Sequence, residues 1–295
     1  MNKSYMLKEY TDTINAYLEN VIPVCDFGED IVHEAMKYSL SIGGKRIRPV
    51  LTLEFCRVCG GSIEDALPLA AALEMIHTYS LIHDDLPCMD NDDMRRGMPS
   101  CHIKYGYEYA LLAGDGLLTG AFGIIADSDF AKKNPSAAVK AVSLLSSLAG
   151  ANGMIGGQVI DLKNENRKAG IETLSKMDEL KTGALIKCAA MLGCISADAD
   201  EEKLSAAVTY AEKIGQAFQI VDDILDVTGD EKSLGKPIGS DKESGKSTYV
   251  TLLGVEKAQE YADRLTDEAA KALEVFGAEK EFLKELAYKL AKREN

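Results

Sequence analysis

The sequence predicts an all-α protein, and three observations predict it. Apolar residues recur at steps of three and four almost throughout. The period-two alternation of strands, bounded by turn pairs, is nearly absent. Only seven prolines occur, several of them where a helix should begin or stop.

The elements follow from these signals. Leu7, Tyr10, Ile14, Tyr17 and Val21 form one helical face. Ser62 followed by Asp65 spells a capping box before an apolar helix over residues 66–81. Asn134-Pro135 reads as an N-cap and first-turn proline opening a helix over 137–148. Residues 171–195, 204–227, 248–264 and 280–292 are further helical stretches. The most polar loops, 88–97 and 229–246, each follow a helix that ends in aspartates. There is no fixed-period repeat, no low-complexity tract and no linker. Residues 1–295 are therefore expected to form a single domain of roughly ten helices.

Composition narrows the function. Apolar residues make up 46% and charged residues 27%, which excludes a disordered chain. A net charge of −14 argues against nucleic acid and against anionic lipid as partners. The opening MNKSYMLKEY lacks the apolar core of a signal peptide. The most apolar runs, around 111–126 and 137–157, are interrupted by Asp115, serines and glycines, so no stable membrane insertion is expected. Seven scattered cysteines suit a reducing, cytoplasmic setting. Cys56 and Cys59 spell C-x-x-C without a second ligand pair, and read as buried structural thiols.

The chemistry is written in charged clusters. Asp84, Asp85, Asp90, Asp92 and Asp93 place five carboxylates within ten residues, followed by Arg95 and Arg96. Such a density of like charge calls for compensation. Mg²⁺ supplies it, taking one or two carboxylates together with substrate phosphate oxygens. Pro87 should break the helix, so that Asp90 can fold back towards Asp84. Taken alone, this cluster fits a solvated helix end equally well.

A second cluster breaks the tie. Gln219, Asp222, Asp223 and Asp226 stand at i, i+3, i+4 and i+7, on one helix stripe. Their neighbours Phe218, Ile220, Val221, Ile224 and Leu225 are apolar, and carboxylates in such surroundings need partners. Two such clusters suggest two helices facing each other across metal ions.

Cationic islands complete the pattern: Lys45, Arg46 and Arg48; Arg95 and Arg96; Lys181 beside Thr182; and Lys236 and Lys246 around a glycine-rich loop. An acidic protein that gathers basic groups beside its aspartates is suited to a polyanion. His77 lies two turns before Asp84 on the same face and could donate to phosphate. His83 and His102 carry no comparable geometric argument. Two partial motifs fail: Gly245-Lys246-Ser247 lacks the preceding strand and first glycine of a phosphate-binding loop, and Asp90-Asn91-Asp92 lacks the remaining calcium-loop positions. No nucleophile has its own base.

At this point the residues become recognisable. DDLPCMD at 84–90 and DDILD at 222–226 resemble the two aspartate-rich motifs of the trans-prenyl diphosphate synthases, the polyprenyl synthetase family. GGKRIRP at 43–49, GGQVIDL at 156–162, KTGALI at 181–186 and KSTYVTLLG at 246–254 are similar to that family in the same order. The spacing within the first motif is typical of bacterial farnesyl diphosphate synthases and of plant and bacterial geranylgeranyl relatives, and the chain as a whole resembles bacterial farnesyl diphosphate synthases most.

The resemblance implies the isoprenoid synthase fold, antiparallel helices around a deep central cavity, as a homodimer. It implies Mg²⁺ held by Asp84, Asp90 and Asp222, with Asp85 and Asp226 supporting. Arg95, Lys181 and Lys236 would hold the allylic diphosphate. Lys45, Arg48, His77 and Arg96 would hold isopentenyl diphosphate. Thr182 and Gln219 would line the path of a carbocation, and Lys246 and the tail near Arg293 would help close the site. Tyr79, five residues before Asp84, would set the cavity floor, as an aromatic residue does in farnesyl makers. Helix phase itself puts Ser80 nearer the Asp84 face. The alternatives are a geranylgeranyl synthase and, from another class, a non-catalytic helical subunit of such an enzyme. A terpene cyclase would have no use for a second diphosphate site.

Overall fold

Helices form where the apolar spacing places them. The computed structural model describes residues 3–23, 30–164, 167, 169–228 and 247–292. In chain order the helices are α1 (Lys3–Leu18), α2 (Ile31–Ser41), α3 (Ile47–Val58), α4 (Ile63–Asp84), α5 (Cys101–Tyr105) and α6 (Tyr107–Asp127). They continue with α7 (Asp129–Lys133), α8 (Pro135–Ala149), α9 (Met154–Asn164) and α10 (Ile171–Asp178). A π-helical turn, Glu179–Gly183, leads into α11 (Ala184–Ser196). Then come α12 (Glu201–Thr228), α13 (Tyr249–Leu253), α14 (Val255–Ala272), a 3₁₀ segment (Leu273–Lys280) and α15 (Glu281–Ala291). A two-residue hairpin, β1 (Met94–Arg95) against β2 (Met98–Pro99), is the strand content of the described residues.

The described helices outnumber the expected ten, because several expected stretches are divided. Gly254, at φ +82°, separates α13 from α14 within the stretch 248–264. The π turn divides 171–195. The capping box at Ser62 does not form either. Ser62 occupies the N-cap, but its hydroxyl donates to Glu64 instead of capping a backbone N–H.

The chain divides into two compact units: Met1–Ser143 with Ile195–Asp198, and Leu144–Cys194 with Ala199–Asn295. In the first, α4 packs extensively on α6 and also on α3. Leu69, Ala70, Ala71, Ala72, Leu73 and Ile76 are all fully buried, so α4 is apolar around much of its circumference, as a central helix must be. Helix α6 buries Ala110, Ala113, Leu117, Ala121 and Ile125 at helical spacing. Its other face exposes Tyr107, Leu111 and Leu112.

Several buried polar groups in this unit are paired. Arg46 donates to Glu74 at 2.6 Å, to Asn15 Oδ1 at 2.9 Å and to the Leu40 carbonyl. Arg46 thus belongs to the core scaffold, and not to the anion-binding island in which the sequence groups it. Tyr10 Oη and Arg57 both donate to the buried carboxylate of Glu54. Cys56 is buried too, and desolvation pushes its thiol up to about 11, so it is inert as a nucleophile.

In the second unit α12 packs along α14, and α9 packs on the π turn. The core joins Leu174, Ala217, Ile220, Val221, Ile224 and Tyr249 to Ala258, Ala262 and Leu265. By length and composition two helical stretches, Tyr107–Asp127 and Pro135–Asn164, could span a membrane. Both carry the polar interruptions noted above. One charged group and several small residues lower the apolarity of such a window without abolishing it.

Candidate active site

Asp84 is the last residue of α4 and half-buried, and Asp85 is its C-cap. Pro87 lies just beyond, where a helix cannot continue. The chain turns back at once: Asp90 N donates to the Asp84 carbonyl at 2.9 Å, and Asn91 N to Leu86 O at 3.2 Å. The sequence expectation that Asp90 returns to Asp84 is therefore met at the backbone, with the Asp90 side chain exposed.

Asp85 has a different environment. It is buried, and Arg95 donates to its carboxylate, Nε to Oδ1 at 3.0 Å together with Nη2. Arg95 also reaches Asp92 at 3.4 Å. Burial raises the Asp85 pKa, and the Arg95 contact opposes that rise.

The cations near α4 crowd one another. Arg48 Nη1 lies 3.3 Å from His77 Nε2. Arg48 Nε is buried without a hydrogen-bond partner. Exposed Arg96 donates to the Gly43 carbonyl. A side chain at Gly44, whose φ is +134°, would meet Arg96 Nη1 at 2.5 Å, so this glycine lets the guanidinium lie against the backbone. Burial drives the His77 pKa well below its ordinary value, and Arg48, Arg96, Arg46 and Arg95 drive it further. His77 is accordingly neutral at physiological pH. Arg48 and Arg96 are also lowered, by burial first, although Glu74 opposes it. Lys45 is exposed beside them. Clustered positive charge around an orphaned N–H is what an anionic ligand would relieve.

Tyr79 is buried on α4, and its hydroxyl has no hydrogen-bond partner. Burial and then Asp84 push its pKa up to about 12.

In the second unit, Gln219, Asp222 and Asp223 are half-buried on α12 and Asp226 is buried. Asp223 accepts from Tyr249 N at 2.7 Å, at the start of α13. Lys181 and half-buried Thr182 lie in the π turn, a local widening of the helix that recurs at functional sites. The widening is held on two sides. A Cβ at Gly157 would lie 2.6 Å from Lys181 Cα, and one at Gly215 would lie 3.1 Å from Gly183 Cα. Lys181 Nζ donates to Asp161 at 2.6 Å. Lys236, Lys246 and Arg293 lie outside the described residues.

Sequence reasoning missed two groups here. Asp161 pairs with Lys181, and its position inside GGQVIDL was the available signal. Asp178, the residue before the π turn, is buried and raised to about 8, by desolvation first and by Asp223 next. A single aspartate in a polar helix gave no signal at all.

Two aspartate-rich motifs, each with basic side chains nearby in the chain, are a donor pattern suited to polyphosphates and divalent ions. The polyprenyl synthetase family model matches residues 29–286. The chain is 44% identical to the farnesyl diphosphate synthase of Bacillus subtilis (strain 168), covering 90% of this chain and 90% of that protein. It is also 44% identical to the geranylgeranyl diphosphate synthase of Cyanophora paradoxa, covering 90% and 86%. Among solved structures, an FPP/GFPP synthase from Zymomonas mobilis aligns with a TM-score of 0.88 at 35% identity, over 98% of this chain and 99% of that one.

The chain belongs to the polyprenyl synthetase family. It is a trans-prenyl diphosphate synthase, a prenyltransferase with the all-α isoprenoid synthase fold, of a family that joins isopentenyl diphosphate to allylic diphosphates.

Proposed function

We propose that the product is farnesyl diphosphate, made by head-to-tail joining of isopentenyl diphosphate to dimethylallyl and then geranyl diphosphate, with release of diphosphate. The observation that carries this reading is Tyr79: a bulky ring, buried, five residues before Asp84. An aromatic ring there leaves less room for a growing chain than a small residue would. The geranylgeranyl reading is kept because a relative of equal identity bears that name.

In this reading Asp84, Asp90 and Asp222 hold Mg²⁺, and Asp85 and Asp226 support them. The donor set suits that ion. Its ligands are hard carboxylate oxygens, the donors that Mg²⁺ takes. Mg²⁺ prefers few protein ligands and completes its shell with phosphate oxygens and water. When bound, it supplies charge neutralisation of the leaving diphosphate.

The chain's own residues do the rest. Arg95, Lys181 and Lys236 orient the allylic diphosphate, and Lys45, Arg48, Arg96 and neutral His77 hold isopentenyl diphosphate. Their fixed positive charge favours departure of the diphosphate. Thr182 and Gln219 line the path of the allylic cation, Lys246 helps to exclude water, and no protein nucleophile is required. Attack by the isopentenyl double bond and loss of a proton, taken up by the departing diphosphate, complete the step.

The same reading makes residues 1–295 one domain and the enzyme a cytoplasmic homodimer without stable membrane insertion or nucleic-acid partner. The exposed apolar residues Tyr107, Leu111 and Leu112 on α6 support pairing with a second copy. Product chromatography with both five-carbon substrates and Mg²⁺ tests the assignment. A fifteen-carbon main product is expected. A twenty-carbon main product selects the geranylgeranyl reading, and no diphosphate release selects a non-catalytic subunit. Tyr79→Ala should lengthen the product, and an unchanged length would remove Tyr79 from the account.

A further inference from the structure

Tyr79 has nothing polar to hold it. Its hydroxyl is buried and unpartnered, an arrangement that costs about 1–3 kcal/mol, so packing alone fixes the ring. One helical turn further on, the His83 ring stands edge-on to Tyr79, with centroids 5.7 Å apart. His83 is anchored at its other end. Its Nε2 lies 3.0 Å from the Leu111 carbonyl on α6, as donor to that oxygen, and 4.0 Å from Asp115. Reaching that carbonyl requires a notch, and Gly114 provides it. A Cβ at Gly114 would overlap the His83 ring, lying 2.9 Å even from Cε1. A glycine, a backbone carbonyl, an imidazole and a phenol thus form one continuous line from α6 to Tyr79.

We infer that His83 is a positioning residue for product length: seated in the Gly114 notch and tied to the Leu111 carbonyl, it fixes the ring of Tyr79. The inference rests on the proposed reading in which Tyr79 limits the chain. Without the imidazole the Tyr79 ring loses its lateral wall. Its unpartnered hydroxyl then gains from any rotation that finds water or a carbonyl. The limit on chain length becomes soft, while Tyr79 itself is still present.

The test compares product lengths for the wild type, Tyr79→Ala, His83→Ala, Gly114→Ala and the Tyr79→Ala/His83→Ala double variant. His83→Ala is expected to raise the ratio of twenty- to fifteen-carbon product about tenfold, the discrimination that one methylene-sized gap in an apolar pocket gives. Gly114→Ala expels the imidazole from its notch and is expected to act in the same direction. It carries the test if His83→Ala does not fold. The double variant should make products no longer than those of Tyr79→Ala, because His83 acts through Tyr79; a general structural role would add to it. A wild-type distribution in His83→Ala or Gly114→Ala, or a double variant that lengthens beyond Tyr79→Ala, overturns the inference. These outcomes are separate from failure of the underlying reading, which would appear as no prenyl diphosphate from the wild type or no lengthening in Tyr79→Ala.

Discussion

At the end of α4 the chain leaves the helix in the middle of its aspartate cluster, whereas α12 carries its cluster on continuous helix up to Thr228. In the first cluster Asp90 returns by a backbone hydrogen bond to Asp84, with its own side chain exposed. In the second, the half-buried and buried carboxylates stand on one continuous helix. Yet each cluster commits one aspartate to the protein itself. Asp85 is tied to Arg95, and Asp223 accepts from the backbone at the start of α13. The lesson is a division of labour within a run of identical residues, set by what the neighbouring loop or helix requires.

The largest expected effects fall on the aspartates assigned to metal. Asp84→Ala and Asp222→Ala should each lower kcat by about 10²–10³-fold or more, the scale of removing a group that stabilises leaving charge. Both should keep the wild-type thermal midpoint. A variant that retains most of its rate would remove that residue from the ion-binding set.

The two aspartates tied to the protein should lose stability as well, and Asp223, which lies outside the proposed ion-binding set, should do so with little loss of chemistry. Asp85→Ala leaves Arg95 without its buried partner and should cost about 3 kcal/mol, measured by urea denaturation. Asp223→Ala removes an acceptor at a helix start and should cost about 1 kcal/mol. If Asp223→Ala were as inactive as Asp222→Ala, with no loss of stability, the division within the second cluster would be wrong.

A pH slope is expected in the second region as well. The carboxyl of Asp178 is raised by burial from its ordinary 3.8 to about 8, with Asp223 and Asp161 adding to the rise and Lys181 and Tyr249 opposing it. Between those values the folded chain keeps a proton that the unfolded chain gives up. Stability from this group is therefore complete below about pH 4 and is lost as pH climbs through about 8. Asp178→Asn should gain on the wild type in thermal midpoint as pH rises from 5 to 8. A constant difference across that range would mean that Asp178 is ionised in the fold.

Much of this was legible in the sequence. Helical spacing gave the class, the Pro87 break gave the turn that returns Asp90, and the i, i+3, i+4, i+7 pattern put Gln219 and the α12 aspartates on one helix. Finer distinctions were not legible, because they depend on contacts distant in the chain. Arg46 and Arg48 are two residues apart, yet one is locked to Glu74 and the other sits against His77 with an unpartnered Nε. Asp178 gave no warning, because its electrostatic neighbours Asp223 and Tyr249 lie far along the chain. His83 looked ordinary because its notch, Gly114, lies on another helix.

In the proposed function both acidic motifs act on one pyrophosphate group. Calorimetric titration of inorganic diphosphate in the presence of Mg²⁺ tests it most directly, on the wild type, Asp84→Ala, Asp222→Ala and the double variant. Sharing a ligand predicts strong non-additivity, with a coupling of about 1 kcal/mol or more between the two sites. Losses that simply add, or diphosphate affinity indifferent to either substitution, would contradict it.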